Sequence, residues 1–239
     1  MSIIVEGHRG YRALYPENTL LSFRKAIELG VDAVEFDVWL SKDGVPVIIH
    51  DPDTLRLTGV PGLVTERTLA ELKALDAGSH KGAEFAGERI PTLEEVLRLI
   101  HGLRPELRLG VEIKDFRRET VDLTVPLLKQ YGFFDGCWFY SFHAGVLRYI
   151  KTAYGGRTMG YPDFQMQGFE PDSYDFYDEI GLEMKLVKSE LFPFYREKGL
   201  PMHMYCADTA EDAGLCIEHG ASLITANDPV PLLKLLGRL

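Results

Sequence analysis

Along the chain, short apolar runs rich in β-branched and aromatic residues alternate with stretches whose apolar positions recur every three or four residues. The first pattern predicts buried strands and the second amphipathic helices, and their alternation predicts a parallel sheet with crossover helices. The predicted strands are Ile3–Gly7, Ala33–Val38, Arg108–Ile113, Cys137–Ser141, Arg157–Gly160, Glu183–Val187, Met202–Cys206 and Ser222–Thr225, with Val45–His50 as a ninth run. Helices fit at Asn18–Leu29, Leu93–His101, Glu119–Tyr131, Ala144–Ala153, Glu190–Lys198, Ala210–His219 and Val230–Leu236. Thr92 with Glu95 before an apolar run is a capping-box pattern, and Asn18 reads as an N-cap.

The ninth run follows its predecessor too closely for a crossover, which needs about a dozen residues, so it is expected to return antiparallel. Asp43-Gly44 supplies a two-residue type I′ turn signal. That turn pairs Lys42 with Val45 and sets Asp37 opposite His50 at about 5 Å, with Glu35 on the same face; a bulged turn that moves the pairing by two residues sets His50 against Glu35 instead, still on the acids' face. Eight parallel strands remain, which predicts an α/β fold of the (β/α)8 TIM-barrel class. The chain is expected to form one domain over residues 1–239, with a β-hairpin excursion and a small insertion after strand 2, at about 52–91, carrying a short helix near Leu69–Leu75.

With 239 residues, 46% hydrophobic and 26% charged, the composition is that of a globular protein. The net charge of −10 argues against nucleic-acid and anionic-membrane surfaces, and any anionic substrate must meet local positive charge. Cys137, Cys206 and Cys216 are widely spaced and odd in number, which suits a reducing, cytoplasmic setting. The short apolar run of MSIIVEGHRG lacks a basic flank and reads as a first strand, neither a signal peptide nor a membrane anchor.

Glu35 and Asp37 in a strand that should be apolar call for a compensating cation, most simply a metal ion. His8 and Arg9, in Gly7-His-Arg-Gly10, fall at the C-terminal end of the first strand, where barrel active sites are built. Glu112 and Lys114, in Gly110-Val-Glu-Ile-Lys114, repeat the same spacing of charges. In this order HRG, ENT, ExD, HD and EIK, joined by IPTLEE at Ile90–Glu95, SF at Ser141-Phe142 and ITANDP at Ile224–Pro229, resemble the glycerophosphodiester phosphodiesterase family, relatives of phosphatidylinositol-specific phospholipase C. The resemblance runs from His8 to about Pro229.

It implies that Glu35, Asp37 and Glu112 bind a divalent metal, that His8 and His50 form the acid–base pair, and that Arg9 and Lys114 bind phosphate oxygens. Oxygen-only ligands favour Mg²⁺ or Ca²⁺ over zinc. The chemistry agrees: a phosphodiester needs its charge offset, a hydroxyl nucleophile deprotonated and a leaving alkoxide protonated. Either water or the substrate's own glycerol hydroxyl can attack, and either histidine can be the acid.

The chain departs from the family where a Trp-Thr-Val-Asn-like segment is replaced by Tyr205-Cys-Ala-Asp208, leaving Tyr205 as the expected wall of the leaving-group pocket, and where a Gly-Val-Asp-Gly-like segment is replaced by Gly220-Ala-Ser-Leu223. Lys185, in a predicted strand with Glu183, is expected either to contact an anionic part of the substrate or to pair with Glu183. His80, His101, His143, His203 and His219 are expected to be structural, with His143 the candidate exception.

The activity implied is metal-dependent hydrolysis of glycerophosphodiesters, such as glycerophosphocholine or glycerophosphoethanolamine, to glycerol 3-phosphate and an alcohol. A lysophospholipase D or phospholipase acting on acylated substrates, and a non-catalytic phosphate-binding barrel, are the alternatives. The expected partner is a small phosphodiester, without nucleic acid or stable membrane association.

Overall fold

Residues 3–239 are described by the structure, a computed structural model. In chain order its elements are β1 (Ile4–Gly7), α1 (Leu20–Leu29), β2 (Ala33–Leu40), β3 (Pro46–Ile48), α2 (Leu55–Thr58), α3 (Leu69–Ala74), α4 (Leu93–Leu103), β4 (Arg108–Ile113), α5 (Arg118–Gln130), β5 (Cys137–Tyr140), α6 (Ala144–Tyr154), β6 (Thr158–Gly160), β7 (Glu179–Glu183), α7 (Met184–Val187), α8 (Phe192–Arg196), β8 (Met202–Tyr205), α9 (Ala210–Glu218), β9 (Ala221–Ala226) and α10 (Val230–Leu235). All strands except β3 pair in parallel, and β1 closes the ring by pairing with both β9 and β2. The result is a closed eight-stranded barrel with helices outside, a (β/α)8 architecture.

Strand alternation divides the side chains between two layers. On β2, Val34, Phe36 and Val38 are fully buried between sheet and helices, in the apolar cluster that holds Phe23 of α1 and Leu93, Val96, Leu97 and Ile100 of α4. Phe36 meets Phe23 edge to face, with ring centres 6.0 Å apart. The intervening Ala33 and Glu35 face into the barrel, where Trp138, Tyr140, Met159 and Leu223 fill the interior. Above that apolar plug the lining becomes polar: Glu6, fully buried, accepts hydrogen bonds from Tyr140 Oη at 3.1 Å and Thr225 Oγ1 at 2.7 Å. Gly110 makes room for this cluster, since a Cβ there would lie 2.5 Å from Glu6 Oε1 and 2.6 Å from the Tyr140 ring.

Three predicted details are corrected. The hairpin turns through Lys42-Asp43-Gly44, with Ser41 N bonded to Val45 O at 3.0 Å and Gly44 at a φ of 75°. This is a three-residue bulged loop rather than a two-residue type I′ turn, and it shifts the register by one, so that Val38 pairs with Ile48. The strand predicted at Glu183–Val187 is instead β7, Glu179–Glu183, where Ile180 and Leu182 are the buried outward residues. Its Gly181 and flanking acids disguised it, and Met184–Val187 begins a helical turn. Finally, Thr19, whose side chain accepts from Ser22 N, caps α1 in place of Asn18.

The capping box of Thr92 and Glu95 is present. The segment from Pro52 to Pro91 carries α2 and α3 and closes over its own apolar cluster of Val47, Ile49, Leu57, Val64, Leu72, Ala77 and Ile90. Among the described residues no helix is long and apolar enough to cross a membrane. Because Phe36 is fully enclosed between β2 and α1, Phe36→Ala is expected to destabilise the fold by about 3–5 kcal/mol. Urea unfolding with an unchanged m-value would read that loss, whereas less than about 1 kcal/mol would contradict the packing described.

Candidate active site

Parallel pairing of β2 with β4 sets Asp37 beside Glu112 and Glu35 beside Gly110, at the C-terminal ends of the strands. One oxygen from each of Glu35, Asp37 and Glu112 lies within 4.8 Å of the others, and all three residues are buried. Burial, together with Asp37 and Glu112, raises Glu35 well above the usual carboxylate range, and Glu112 is raised mainly by burial. Asp37 goes the other way: burial would raise it, but Lys114 and Arg9 outweigh that and hold it low.

The cations that offset these acids come from strand ends. Lys114 Nζ stands 2.7 Å from Glu112 Oε1 and 3.4 Å from Asp37 Oδ1. Arg9, nearly buried, has its Nε 3.4 Å from Asp37 Oδ2 and donates through Nη1 to Glu17 Oε1 at 2.9 Å. Its backbone is strained: Arg9 at a φ of 54° and Asn18 at 58° are the non-glycine residues with positive φ among the described residues. The strain is spent on the carboxylates. Arg9 N donates to Glu35 Oε2 at 2.9 Å, and Asn18 Nδ2 donates to Asp37 Oδ2 at 2.8 Å.

Even so, Glu35 Oε1 and Asp37 Oδ1 are buried without a hydrogen-bond donor. Two orphaned carboxylate oxygens beside a third acid are the donor set of a hard divalent cation, and these residues fit one.

His8 and His50 flank the acids, lining one cavity of about 170 Å³ with Glu35, Glu112, Lys114 and Tyr205. His8 Nδ1 lies 2.6 Å from Asn227 Oδ1. Asp208 decides which way that amide points, since Asn227 Nδ2 and the Asn227 backbone N–H each donate to its carboxylate at 2.6 Å. Asn227 Oδ1 therefore accepts, His8 Nδ1 carries the proton, and the Nε2 lone pair is left on the side of Glu35 Oε2, 3.8 Å away. Burial, aided by Arg9, pushes the His8 imidazole down to about 3, so it is neutral. His50 has a different support: its Nδ1 lies 2.7 Å from Asp51 Oδ1, and its backbone carbonyl accepts from Trp39 Nε1 at 3.2 Å. Arg56 of α2 ties this side to the other by donating to both Asp51 and Glu17.

The matching family model, the glycerophosphoryl diester phosphodiesterase family, covers residues 8–230. The chain belongs to that family. A curated glycerophosphodiester phosphodiesterase from Caldanaerobacter subterraneus subsp. tengcongensis is 33% identical over 251 aligned positions, covering 99% of this chain and 98% of the relative. Among solved structures, a phosphodiesterase from Oleispira antarctica in complex with the product sn-glycerol-3-phosphate is 28% identical with a TM-score of 0.86, over 98% of this chain and 96% of that one. A glycerophosphodiester phosphodiesterase from Thermotoga maritima is 25% identical with a TM-score of 0.75, over 98% and 99%.

Of the residues predicted for the site of this family member, His8, Arg9, Glu35, Asp37, His50, Glu112, Lys114 and Tyr205 converge. His50 arrives by a route the register argument missed, because β3 ends at Ile48 and the chain then bends, carrying the ring back to the acids. Lys185 does not converge: it lies outside the strand, its side chain 88% exposed and 3.1 Å from Glu183 Oε1, the alternative foreseen for it. His143 caps α6 instead of reaching the site, whereas His203 is buried in the cavity wall beside Glu6 and Thr225.

Reading the sequence missed Asn18, Asp51, Glu17, Arg56, Asp208 and Asn227 as supporting residues. The signal for several lay in the matched segments ENT and ANDP, where Asn18 reads as a helix cap and no role attaches to Asn227.

Relief of like-charge crowding gives a test. In metal-free protein Glu35→Gln is expected to raise Tm by roughly 2–4 °C, while Mg²⁺ or Ca²⁺ at about 100 times the wild-type Kd, worth about 2.7 kcal/mol to wild type, stabilises the variant far less. Melting curves in EDTA and in added metal read both effects; a lower metal-free Tm with an unchanged metal response would contradict the arrangement.

Proposed function

We propose that this chain hydrolyses glycerophosphodiesters, such as glycerophosphocholine or glycerophosphoethanolamine, to glycerol 3-phosphate and an alcohol, in a metal-dependent reaction with His8 and His50 as the acid–base pair. The observation that carries the reading is the meeting of three buried carboxylates, a buried arginine, a partly buried lysine and two differently supported imidazoles around one cavity. The product named in the Oleispira structure and the curated relative support the substrate class.

A divalent cation, Mg²⁺ or Ca²⁺, held by Glu35, Asp37 and Glu112 would offset phosphate charge and polarise its oxygens. Arg9 and Lys114 bind the remaining phosphate oxygens, which leaves each acid with a reason to be near a cation. His8, neutral and with Nε2 free, takes the proton of the attacking hydroxyl, whether from water or from the glycerol moiety. His50, its Nδ1–H held by Asp51, gives its Nε2 proton to the leaving alkoxide. Tyr205 forms part of the wall against the leaving alcohol.

The protein works as one barrel domain over the whole chain with the 52–91 segment as its insertion. Its free, separated cysteines support a cytoplasmic setting.

Release of glycerol 3-phosphate from glycerophosphocholine by EDTA-stripped protein is expected only after Mg²⁺ or Ca²⁺ is restored. His8→Ala and His50→Ala are each expected to lower kcat by about 10²–10⁴, and Lys185→Ala to leave both constants unchanged. Full turnover in EDTA would end the metal assignment. Metal binding without turnover on any deacylated diester would favour the acylated-substrate or binding-barrel alternatives.

A further inference from the structure

Beside the catalytic cavity lies a second hollow of about 300 Å³, bounded by Arg12, Glu17, Arg56, His80, Lys81 and Asn227. It shares its walls with the active centre: Asn227 is the partner of His8, and Glu17 the partner of Arg9. In a chain of net charge −10 this hollow carries an excess of cations. Glu17 is its one acid, and that carboxylate is already engaged by Arg9 at 2.9 Å and Arg56 at 2.7 Å.

Arg12 is left over. Its nearest carboxylate oxygen, Glu17 Oε2, is 3.8 Å away. Its other neighbour, His8 Nδ1 at 3.4 Å, already carries a proton donated to Asn227 and cannot accept another. The side chain of Arg12 is only 30% exposed, so water solvates it incompletely. Lys81 is likewise without an acid among the described residues; its Nζ donates to the Arg12 carbonyl at 2.7 Å, which fixes it over the hollow with donors to spare. The rim that carries Lys81 is also built rather than loose, because Asp76 accepts from the backbone N–H groups of Gly78, Ser79 and Gly87, each at 2.8 Å.

We propose that this hollow binds a second anionic group, a phosphate or carboxylate separate from the scissile phosphate, through Arg12 and Lys81. Resting on the phosphodiesterase reading above, the source of that anion is a substituent on the alcohol side of the diester, and the enzyme thereby favours diesters whose alcohol is itself anionic. A partly shielded guanidinium and a neighbouring exposed ammonium with donors to spare are matched to oxyanions and have no use for the quaternary ammonium of choline.

The test compares kcat/KM for two substrates that differ by one phosphate, glycerophosphoinositol and glycerophosphoinositol 4-phosphate. The ratio favouring the phosphorylated diester is expected to fall about tenfold in Arg12→Gln and in Lys81→Gln, and to stay at the wild-type value in Lys129→Gln, a matched loss of charge at the end of α5. Taking a ratio cancels any general loss of active protein. In parallel, inorganic phosphate is titrated into metal-free enzyme while the amide resonances of Lys81 and Asn227 are followed. A ratio that stays constant while phosphate binding at those amides weakens in both variants assigns the hollow to a free anion, and so overturns the substrate-borne source. If the ratio and the phosphate response are both unmoved, the hollow is a solvated basic surface and the proposal is wrong. Absence of turnover on both diesters would count against the phosphodiesterase reading; the substrate-borne source would fall with it, and the phosphate titration would still decide whether the hollow binds anions.

Discussion

Three carboxylates buried within a few ångströms of one another are mutually repulsive, and the architecture of the barrel mouth is organised around that repulsion. Two neighbouring strands deliver the acids as a consequence of register, Asp37 beside Glu112. The groups that offset them bring positive charge or an N–H donor. Arg9 and Asn18 adopt left-handed backbone conformations that L-residues ordinarily avoid, and in doing so each aims a donor at one acid. Lys114 supplies an ammonium from the end of β4. Even with these donors Glu35 Oε1 and Asp37 Oδ1 accept no hydrogen bond, so the arrangement makes physical sense as one half of a cation site.

The same constraint explains why the segment after β3 belongs to the site as well as to the surface. His50 depends on Asp51, Asp51 on Arg56, and Arg56 also holds Glu17, which in turn fixes Arg9. A short helix outside the barrel thus couples the loop carrying one histidine to the loop carrying the other. On the far side the ordering device is different: Asp208 sets the Asn227 amide, and the amide sets the proton position on His8. Two imidazoles of identical composition are held differently, because one faces a carboxamide oxygen and the other a carboxylate.

How much of this could be read beforehand varied with the range of the interaction. The barrel, the acids and the two histidines were legible because alternation along a strand is local, and charged residues at i and i+2 in an otherwise apolar run stand out. The hairpin register was not, since Asp43-Gly44 serves equally well in a two-residue turn and in a bulged three-residue loop; the outcome depended on Ser41 bonding back to Val45. Strand β7 was hidden by Gly181 and by acids at both ends, Glu179 being reconciled to burial only by Trp138 and Arg157, which are distant in sequence. Asn18 looked like a helix cap because Asn commonly is one, and nothing local announces that its amide reaches Asp37, 19 positions away. Asp208 and Asn227 act only through each other and through His8, a relation created by closing the barrel.

The most direct test is a crystal structure of the wild-type chain grown with Mn²⁺ as an anomalously scattering substitute for the native ion. The account predicts a single strong anomalous peak in contact with oxygens of Glu35, Asp37 and Glu112, at about 2.0–2.6 Å, with Lys114 and Arg9 displaced little from the positions described. Absence of a peak there at saturating Mn²⁺, or an ion bound at other residues with the three acids left hydrogen-bonded only to protein, would contradict it.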